Sequence, residues 1–413
     1  MPPPTGSPEP SGVDSRVAPA GSTRSAVLGA MFLMATSAIG PGFITQTTAF
    51  TIQLGAAFAF AILASIVVDI AVQLNVWRVI GVAGVRAHEL AHEVLPGLGY
   101  ALAALVVAGG LVFNIGNIAG TGLGIDAMLG VDPVIGGIVS AAIAIAIFLV
   151  KRAGMVLDRL VVALGVLMIG LTTYVAVTSG PPVGQALRNA VLPQTVDFLV
   201  ITTLIGGTVG GYITYAGAHR LLDSGMTGAD NAPHIARSSV IGIILTGVMR
   251  VVLFLAILGV VAAGASLDPA NPAASAFRVA AGEVGLRMFG IILWAAAITS
   301  VIGASYTSVS FLTRSSTPER TRNLLTVAFI VIGTVLYVTL GKAPVTLLIF
   351  AGAFNGVILP LGFTVILWVA WRRRDLLHGY RYPAWLLGVG VLAWVLTLWL
   401  GAQSLGGLAA LWS

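Results

Sequence analysis

The sequence contains no cysteine, so it offers neither disulfides, nor thiolate metal ligands, nor a thiol nucleophile. Charged residues are also scarce. Asp, Glu, Lys and Arg make up 9% of the 413 residues, whereas a soluble domain carries about 25%. So few charges cannot cover a water-exposed surface. Long apolar runs dominate instead, with 57% hydrophobic residues and a mean hydropathy of +1.00. These features indicate an all-α polytopic membrane protein.

Eleven apolar segments are long enough to cross a bilayer as helices, which takes about 20 residues each. They are 26–53, 56–78, 98–126, 134–151, 158–179, 196–220, 239–264, 285–313, 323–341, 343–371 and 382–404. Short polar links join them, so residues 25–413 are predicted to form a single domain. Residues 1–24 are rich in Pro, Ser and Gly without an apolar core, which is typical of a disordered tail and not of a signal peptide.

The positive charges fall mainly on one side of these spans. If the N-terminus is cytoplasmic, the outer segments contain only Arg188, Arg278, Arg287 and Lys342. The remaining Lys and Arg residues lie in inner segments, apart from Arg250 within a span. This distribution follows the positive-inside rule. It predicts a bacterial inner-membrane protein with a cytoplasmic N-terminus and an extracytoplasmic C-terminus. The pI near 10.0 then reflects topology and contact with membrane lipids, and no nucleic-acid partner is expected.

Two predicted spans are interrupted by residues that break helices. The first contains SAIGPGFITQTT (Ser37–Thr48), and the sixth contains IGGTVGGYITY (Ile205–Tyr215). Interrupted helices five spans apart are typical of transporters made of two inverted repeats, which bind substrate at the membrane midplane. We therefore predict repeats at about 26–179 and 196–371, with an appended eleventh helix at 382–404. For the second interruption the alternative is close helix packing, because its glycines have small-xxx-small spacing.

At these residues the chain resembles the NRAMP family, proton-coupled divalent-metal transporters with a LeuT-like fold. In that family the first interruption, Asp-Pro-Gly-Asn, follows Leu-Gly by about ten residues; here Gly40–Phe43 (GPGF) follows Leu28–Gly29 at the same distance. The sixth helix there reads Gly-Ala-Thr-Val-Met-Pro-His, where this chain has Gly206–Tyr212 (GGTVGGY). Residues 295–312 and 347–360 resemble the family's eighth and tenth helices. The resemblance covers the chain beyond residue 25 and implies discontinuous helices 1 and 6.

The chain differs from the family at the positions that the resemblance assigns to metal binding. Metal-binding members use an Asp, an Asn and a Met, and these positions are Gly40, Phe43 and Gly210 here. At the position of the family's protonated His this chain has Tyr212, and at the positions of the acidic pair in the family's third helix it has Asn114 and Asn117. A divalent cation in an apolar cavity without anionic ligands would lose much of its hydration free energy uncompensated. We therefore keep the implied fold, predict no metal site and expect another substrate.

Residues at the two interruptions suit a small anion. A helix that restarts at Phe43 presents free N–H groups and the positive end of its dipole. The predicted substrate-binding residues are glycines, polar donors and two aromatic walls: Gly40, Gly42, Phe43, Thr45, Gln46, Thr47, Gly210, Gly211 and Tyr212, with Thr48 as a further donor. This set fits a carboxylate on a compact organic body. Similarity to divergent bacterial relatives associated with oxoproline metabolism implies an oxoproline-like carboxylate as a candidate.

Two charged residues lie in the middle of predicted spans, where charges are costly and usually functional. Asp69 is in the second span and Arg250 in the seventh. These spans are equivalent in the inverted repeat, so we expect them to pack together. Three interpretations remain open. The two residues could form a structural ion pair, Arg250 could face an anionic substrate, or Asp69 could bind the coupling ion or proton.

Three asparagines form a second polar group within the spans. Asn114 and Asn117 lie three residues apart on one helical face, and Asn355 is in the tenth span. Such residues often hydrogen-bond neighbouring helices together. The alternative is a polar path for a substrate or an ion.

The segment HELAH also matches a catalytic pattern. His88, Glu89 and His92 have the HExxH spacing of zinc proteases. They fall in a short link between the second and third spans, where NRAMP relatives carry an amphipathic helix. The pattern keeps an intramembrane zinc hydrolase as a remote alternative, although we expect no enzyme.

The sequence therefore predicts an ion-coupled secondary transporter that works by alternating access. Its expected substrate is a small anionic or zwitterionic organic solute, and its transport is expected to be driven by H⁺ or Na⁺. We expect the protein to be a monomer without a cofactor. The main alternative is a transporter of Mn²⁺ or Mg²⁺ that has rebuilt its site, using ligands such as Asp69 and hydroxyl or backbone oxygens.

Overall fold

The computed structural model describes residues 40–313 and 317–411, without the side chains of residues 151–162. The regular structure in these ranges is entirely helical. The helices are α1 (Pro41–Leu54), α2 (Phe58–Ala83), α3 (Ala87–Val94), α4 (Leu98–Leu129), α5 (Pro133–Leu149), α6 (Lys151–Thr178), α7 (Val183–Val191), α8 (Phe198–Thr208), α9 (Ile213–Asp223), α10 (Ala232–Ala262), α11 (Pro272–Leu312), α12 (Glu319–Leu340), α13 (Pro344–Arg372) and α14 (Ala384–Ala410). The predicted tail, 1–24, and the first half of the first span, 26–39, lie outside the described residues.

Eight helical segments of the described chain are long and apolar enough to cross a membrane, with α1 and α2 counted as one segment and α8 and α9 as another. Residues 163–178 of α6 form a ninth together with α7, from which they are bent by 104°. The apolar helix α5 is shorter, at 17 residues. A helix therefore lies at every predicted span from the second to the eleventh and in the described half of the first. The chain is a multi-pass membrane protein. Its division into repeats at 26–179 and 196–371 stays a prediction.

The largest error in the predicted boundaries concerns α11. We expected this span to begin at residue 285, but the helix begins at Pro272. It is kinked at Gly282, which has φ 64° and ψ −163°. Arg278 and Glu283 form a 2.8 Å ion pair near the kink, and both are more than half exposed. The helical stretch after the kink, 283–312, agrees with the predicted span, whereas the stretch before it, 272–281, is a further helical segment that these charges made look like a loop.

The interrupted sixth span occupies the centre of the bundle. Helices α8 and α9 are separated by residues 209–212, as predicted. In the most apolar 18-residue stretch of this span 83% of the residues are buried, whereas in the corresponding stretch of the peripheral α14 only 33% are buried. Helix α8 packs closely on α13, because a methyl group on Gly206 would overlap the Gly352 carbonyl oxygen and the Gly356 amide nitrogen. The small-residue packing and the interruption therefore coexist at neighbouring residues.

Candidate substrate site

A cavity of about 150 Å³ lies where α1 begins and where α8 gives way to α9. Its walls come from these helices and from α2, α4, α10 and α11. The side chains that give it chemical character are aromatic or polar: Phe43, Gln73, Trp77, Phe113, Asn117, Thr208, Tyr212, Arg220, Thr246, Thr299, Ser300 and Thr307. The start of α1 and the break between α8 and α9 thus meet at one cavity.

The start of α1 brings backbone N–H groups to the wall of this cavity. Gly40 is the N-cap, and the first hydrogen bond of the helix runs from the Ile44 N–H to the Gly40 carbonyl oxygen at 3.3 Å. Pro41 has no N–H, and the amides of Gly42 and Phe43 have no helical partner within the described chain, which begins at residue 40. Gly40, Gly42 and Phe43 all line the cavity. This part of the predicted site is therefore in place, with the helix dipole aimed at the same point.

The polar side chains further along α1 are turned away from the cavity. Thr45 and Gln46 are buried but are not part of its described wall. The Thr47 hydroxyl donates to the Phe43 carbonyl oxygen at 2.7 Å, and the Thr48 hydroxyl donates to Ile44 at 2.9 Å. The expectation that these residues present donors to a ligand is not met in this geometry.

Gln46 instead forms a bridge between helices. Its amide nitrogen donates to the Leu348 carbonyl oxygen of α13 at 2.9 Å. Its amide group is wedged between Gly207 and Gly352, where an added methyl group would lie 2.6 Å and 2.5 Å from its oxygen and nitrogen. The Gln46 side-chain oxygen, Oε1, has no hydrogen-bond partner in the described chain. Gln46 thus joins α1, α8 and α13 behind the cavity wall.

The interruption between α8 and α9 is held by Asn355 of α13. The Asn355 side-chain oxygen accepts from the Tyr212 N–H at 3.0 Å, and its backbone oxygen accepts from the Gly211 N–H at 2.8 Å. The Asn355 amide group donates to the carbonyl oxygens of Gly109 and Ala351 at 3.1 and 2.9 Å. Asn355 therefore supplies partners for backbone that the break leaves without helical hydrogen bonds. Gly211 and Gly210, which packs on Asn355, are outside the cavity wall.

Replacing Asn355 by Leu should lower the free energy of unfolding by about 2–4 kcal/mol, because the Tyr212 N–H and the Gly109 carbonyl oxygen would lose buried partners. Thermal unfolding in detergent measures the effect. Gln403→Leu is the matched control, since Gln403 is exposed on α14. Equal stability of both variants would contradict the role given to Asn355.

Aromatic side chains wall the cavity on several sides. Phe43 and Tyr212 were expected there. The Tyr212 hydroxyl, predicted to donate to a substrate, donates to the Ala304 carbonyl oxygen at 3.2 Å. Trp77 and Phe113 were missed by the sequence analysis, and Trp77 is held by a 3.0 Å bond from its indole nitrogen to the Thr214 carbonyl oxygen. These rings give the cavity apolar walls that would suit a ligand with flat or apolar faces.

Arg220 is the one charged side chain among the described cavity-lining residues. It lies in the last turn of α9 and is exposed. The described wall contains no Asp, Glu, His or Met. No group of three or more His, Cys, Asp or Glu in the described chain is arranged to hold a metal ion. The described cavity therefore has a positive balance of charge.

Asp69 and Arg250 face each other across α2 and α10 without a direct ion pair between them. Both are buried, with 1% and 2% exposure. The Arg250 guanidinium donates to the Thr208 hydroxyl at 3.3 Å and lies 4.6 Å from the centre of the Phe43 ring. The Asp69 Oδ1 and the Arg250 Nε have no hydrogen-bond partner in the described chain. The expected pair that satisfies both charges is therefore incomplete.

The asparagines of α4 have different surroundings. Asn117 lines the cavity, and its amide nitrogen has no partner among the described residues. Asn114 is fully buried and packs near Gly333 of α12, with both side-chain polar atoms unpartnered there. Asn355, by contrast, is fully engaged in hydrogen bonds. The polar path predicted from these three residues is represented in the cavity wall by Asn117 alone.

The HELAH segment forms α3, a short amphipathic helix outside the spans. The Glu89 carboxylate accepts from the Arg86 N–H at 2.9 Å, so it caps the helix. The His92 Nδ1 accepts from the Gly97 N–H at 3.3 Å. Burial against Phe311 lowers the pKa of His88 and favours its neutral form. This helix-capping arrangement gives the zinc hydrolase alternative no support.

The family comparison matches residues 31–406 to the model of natural resistance-associated macrophage protein-like (Nramp) proteins. Two relatives are similar over nearly their whole lengths. The uncharacterized membrane protein YcsG of Bacillus subtilis is 51% identical over 391 residues, covering 94% of this chain and 96% of its own. An uncharacterized membrane protein of Haemophilus influenzae is 53% identical over 364 residues, covering 88% and 91%.

Solved structures share the fold at low sequence identity. A manganese transporter of Eremococcus coleocola superposes with a TM-score of 0.70 and 16% identity, covering 95% of this chain and 89% of its own. MhsT in complex with L-phenylalanine superposes with a TM-score of 0.63 and 19% identity, covering 91% and 98%. These similarities confirm the predicted LeuT-like fold.

Proposed function

The chain belongs to the Nramp family, and from that premise we propose that this membrane transporter moves a small anionic or zwitterionic organic solute by alternating access. An oxoproline-like carboxylate is the candidate substrate. The observation that carries the proposal is the composition of the described cavity wall, which combines the first-turn amides of Gly42 and Phe43 with a positive side chain and no acidic one. A carboxylate group fits the amides and Arg220, and the aromatic walls fit the body that bears it.

The buried Arg250 adds to this preference for an anion. Its guanidinium contacts Phe43 and Thr208, and both of these residues line the cavity. A charge in a poorly polarisable interior acts over several ångströms more strongly than it does in water. The positive potential therefore reaches the cavity although Arg250 is not exposed there.

The competing proposal is transport of Mn²⁺ or Mg²⁺, since the structurally similar protein of Eremococcus coleocola is a manganese transporter. A divalent cation needs anionic or strongly polar ligands to replace its water. The described wall offers hydroxyl and amide groups beside a cationic Arg220. Because this cation repels a metal ion, the organic anion is the better match. MhsT, with L-phenylalanine bound, shows that the fold accepts an amino acid.

We place the protein in a bacterial inner membrane as a monomer surrounded by lipid, with the N-terminus in the cytoplasm and the C-terminus outside. The distribution of Lys and Arg supports this orientation. An inward gradient of H⁺ or Na⁺ would drive uptake, and no cofactor is needed.

Ligand-dependent thermal stability of the purified protein tests the proposal. A ligand that binds the folded state raises its apparent stability by mass action. We expect stabilisation by 5-oxoproline or another small carboxylate and none by Mn²⁺ or Mg²⁺. Stabilisation by the metal ions alone would favour the competing proposal.

Arg220→Gln should weaken carboxylate binding roughly 10- to 100-fold, because a charge-assisted hydrogen bond contributes about 1.5–3 kcal/mol. Titration of the ligand against the purified variant gives the affinity. Arg320→Gln provides the control, since Arg320 is exposed at the start of α12. Unchanged affinity in Arg220→Gln would remove this residue from the site.

A further inference from the structure

The interior charges of α2 and α10 are only partly neutralised by each other. Asp69 is the one buried Asp or Glu among the residues whose burial is described. Its Oδ1 has no hydrogen-bond partner there, and neither does the Arg250 Nε. A purely structural ion pair would be expected to use these atoms, because unpaired buried charges are costly. The incomplete pairing indicates a group that changes its charge.

The surroundings of Asp69 favour a proton over a metal ion as the species that binds it. The charged group that acts on the Asp69 carboxyl group in the described chain is Arg250 of α10, and the hydroxyl beside it is Thr208 of α8. Thr208 already donates to the Leu204 carbonyl oxygen at 2.9 Å and accepts from Arg250 at 3.3 Å. Na⁺ would need several free oxygens and would be repelled by the guanidinium, whereas a proton needs one carboxylate oxygen.

Arg250 links this carboxyl group to the cavity. The guanidinium carbon of Arg250 lies 4.6 Å from the centre of the Phe43 ring, and its Nη2 donates a hydrogen bond to the Thr208 hydroxyl. Phe43 and Thr208 are at the first turn of α1 and the last turn of α8, so they form the wall at both interruptions. The potential at the cavity therefore depends on how much of the Arg250 charge Asp69 cancels.

We propose that Asp69 is the proton-binding site of this transporter and that its protonation raises the affinity of the cavity for an anion. A proton adds to one carboxylate oxygen of Asp69, which becomes a neutral carboxylic acid. Arg250 then stays cationic without a counter-charge, and an anion in the cavity supplies it. When the anion leaves, the uncompensated cation favours loss of the proton.

The coupling is reciprocal by thermodynamic linkage. Anion affinity rises as the pH falls through the titration of Asp69, and with a roughly 10-fold coupling anion binding takes up at most about half a proton per site. At an effective dielectric constant of about 20 and a separation of roughly 10 Å, neutralising Asp69 changes the affinity roughly 10-fold. This inference depends on the proposed function, because it needs an anionic substrate, and it gives H⁺ as the coupling ion.

The first test measures the affinity of purified wild-type protein and of Asp69→Asn for 5-oxoproline between acidic and alkaline pH. We expect wild-type affinity to fall roughly 10-fold as the pH rises. Asp69→Asn, which mimics the protonated residue, should bind with the higher affinity at every pH. An Asp69→Asn variant that keeps the pH dependence of the wild type would overturn the proposal. Asp197→Asn is the control, because this helix-capping carboxylate lies away from Arg250.

The second test needs no ligand, and the wild type alone can overturn the proposal. Infrared spectroscopy of the wild type should show the carbonyl band of a protonated, buried carboxyl group that appears as the pH falls, and Asp69→Asn should lack it. No such band at any accessible pH, or one that never titrates, overturns the proposal even if the variant fails to fold. If the band titrates but no carboxylate binds at any pH, the proposed function fails and the proton site stands.

Discussion

Arg250→Gln is expected to weaken carboxylate binding roughly 30-fold. The estimate takes a separation of roughly 8 Å between the guanidinium and a bound carboxylate and an effective dielectric constant of about 20, which gives about 2 kcal/mol. Gln keeps much of the side-chain length and a donor for Thr208 but removes the cation that lies over Phe43. Isothermal titration of the purified variant measures the loss.

The same variant should also unfold at lower temperature near neutral pH. Removing Arg250 leaves the ionised Asp69 without its counter-charge, and breaking a buried pair in this way costs about 3–5 kcal/mol. Acidification should restore part of the stability, because Asp69 then becomes neutral. A thermal unfolding series over pH would show this recovery.

The double variant Asp69→Asn/Arg250→Gln separates the two effects. It contains neither buried charge, so its stability should return close to that of the wild type, whereas its anion affinity should be roughly 30-fold below that of Asp69→Asn, which keeps the Arg250 cation. Wild-type affinity in Arg250→Gln would contradict the electrostatic account of the cavity. A double variant no more stable than Arg250→Gln would contradict the interaction between the two charges.

Gly206→Ala is expected to prevent correct folding or to lower the melting temperature far more than an ordinary surface substitution does. The added methyl group would overlap backbone atoms of Gly352 and Gly356, which cannot rotate away as a side chain can. Helix α8 would therefore have to move off α13, and the interruption at the cavity would move with it. Small residues at such contacts let membrane helices approach closely.

Gly170→Ala is the matched control for this prediction. Gly170 lies in α6, and a methyl group there meets nothing within 4 Å. The Gly170→Ala variant should have the same melting temperature and size-exclusion elution profile as the wild type. If Gly206→Ala behaved like Gly170→Ala, the contact between α8 and α13 would be looser than described.

The break between α8 and α9 and the helix start at Pro41 were predictable because their cause is local. Glycines in an apolar span weaken a helix, proline ends one, and both residue types are visible in the sequence. The burial of Asp69 and Arg250 was predictable for a similar reason, since few charges occur in the middle of spans. Their incomplete pairing was not, because it depends on the side-chain positions of Thr208 and Phe43.

The cavity wall was harder to predict because most of it comes from distant parts of the chain. Trp77 and Phe113 look like ordinary apolar residues of their own spans until α2 and α4 pack beside the interruption. Arg220 was assigned to the positive-inside distribution, and its position in the cavity depends on where α9 ends. Gln46 was misplaced because the direction of a helical side chain is settled by its neighbours, here the Leu348 carbonyl oxygen.

Uptake by proteoliposomes tests the central claim most directly. Purified protein would be reconstituted and supplied with labelled 5-oxoproline, and in parallel with labelled manganese ions, under an inward proton gradient. The account predicts accumulation of the carboxylate that collapses with the gradient and is lost in Arg250→Gln, with no accumulation of manganese. Accumulation of manganese without carboxylate uptake would contradict the account and identify a metal transporter with a rebuilt site.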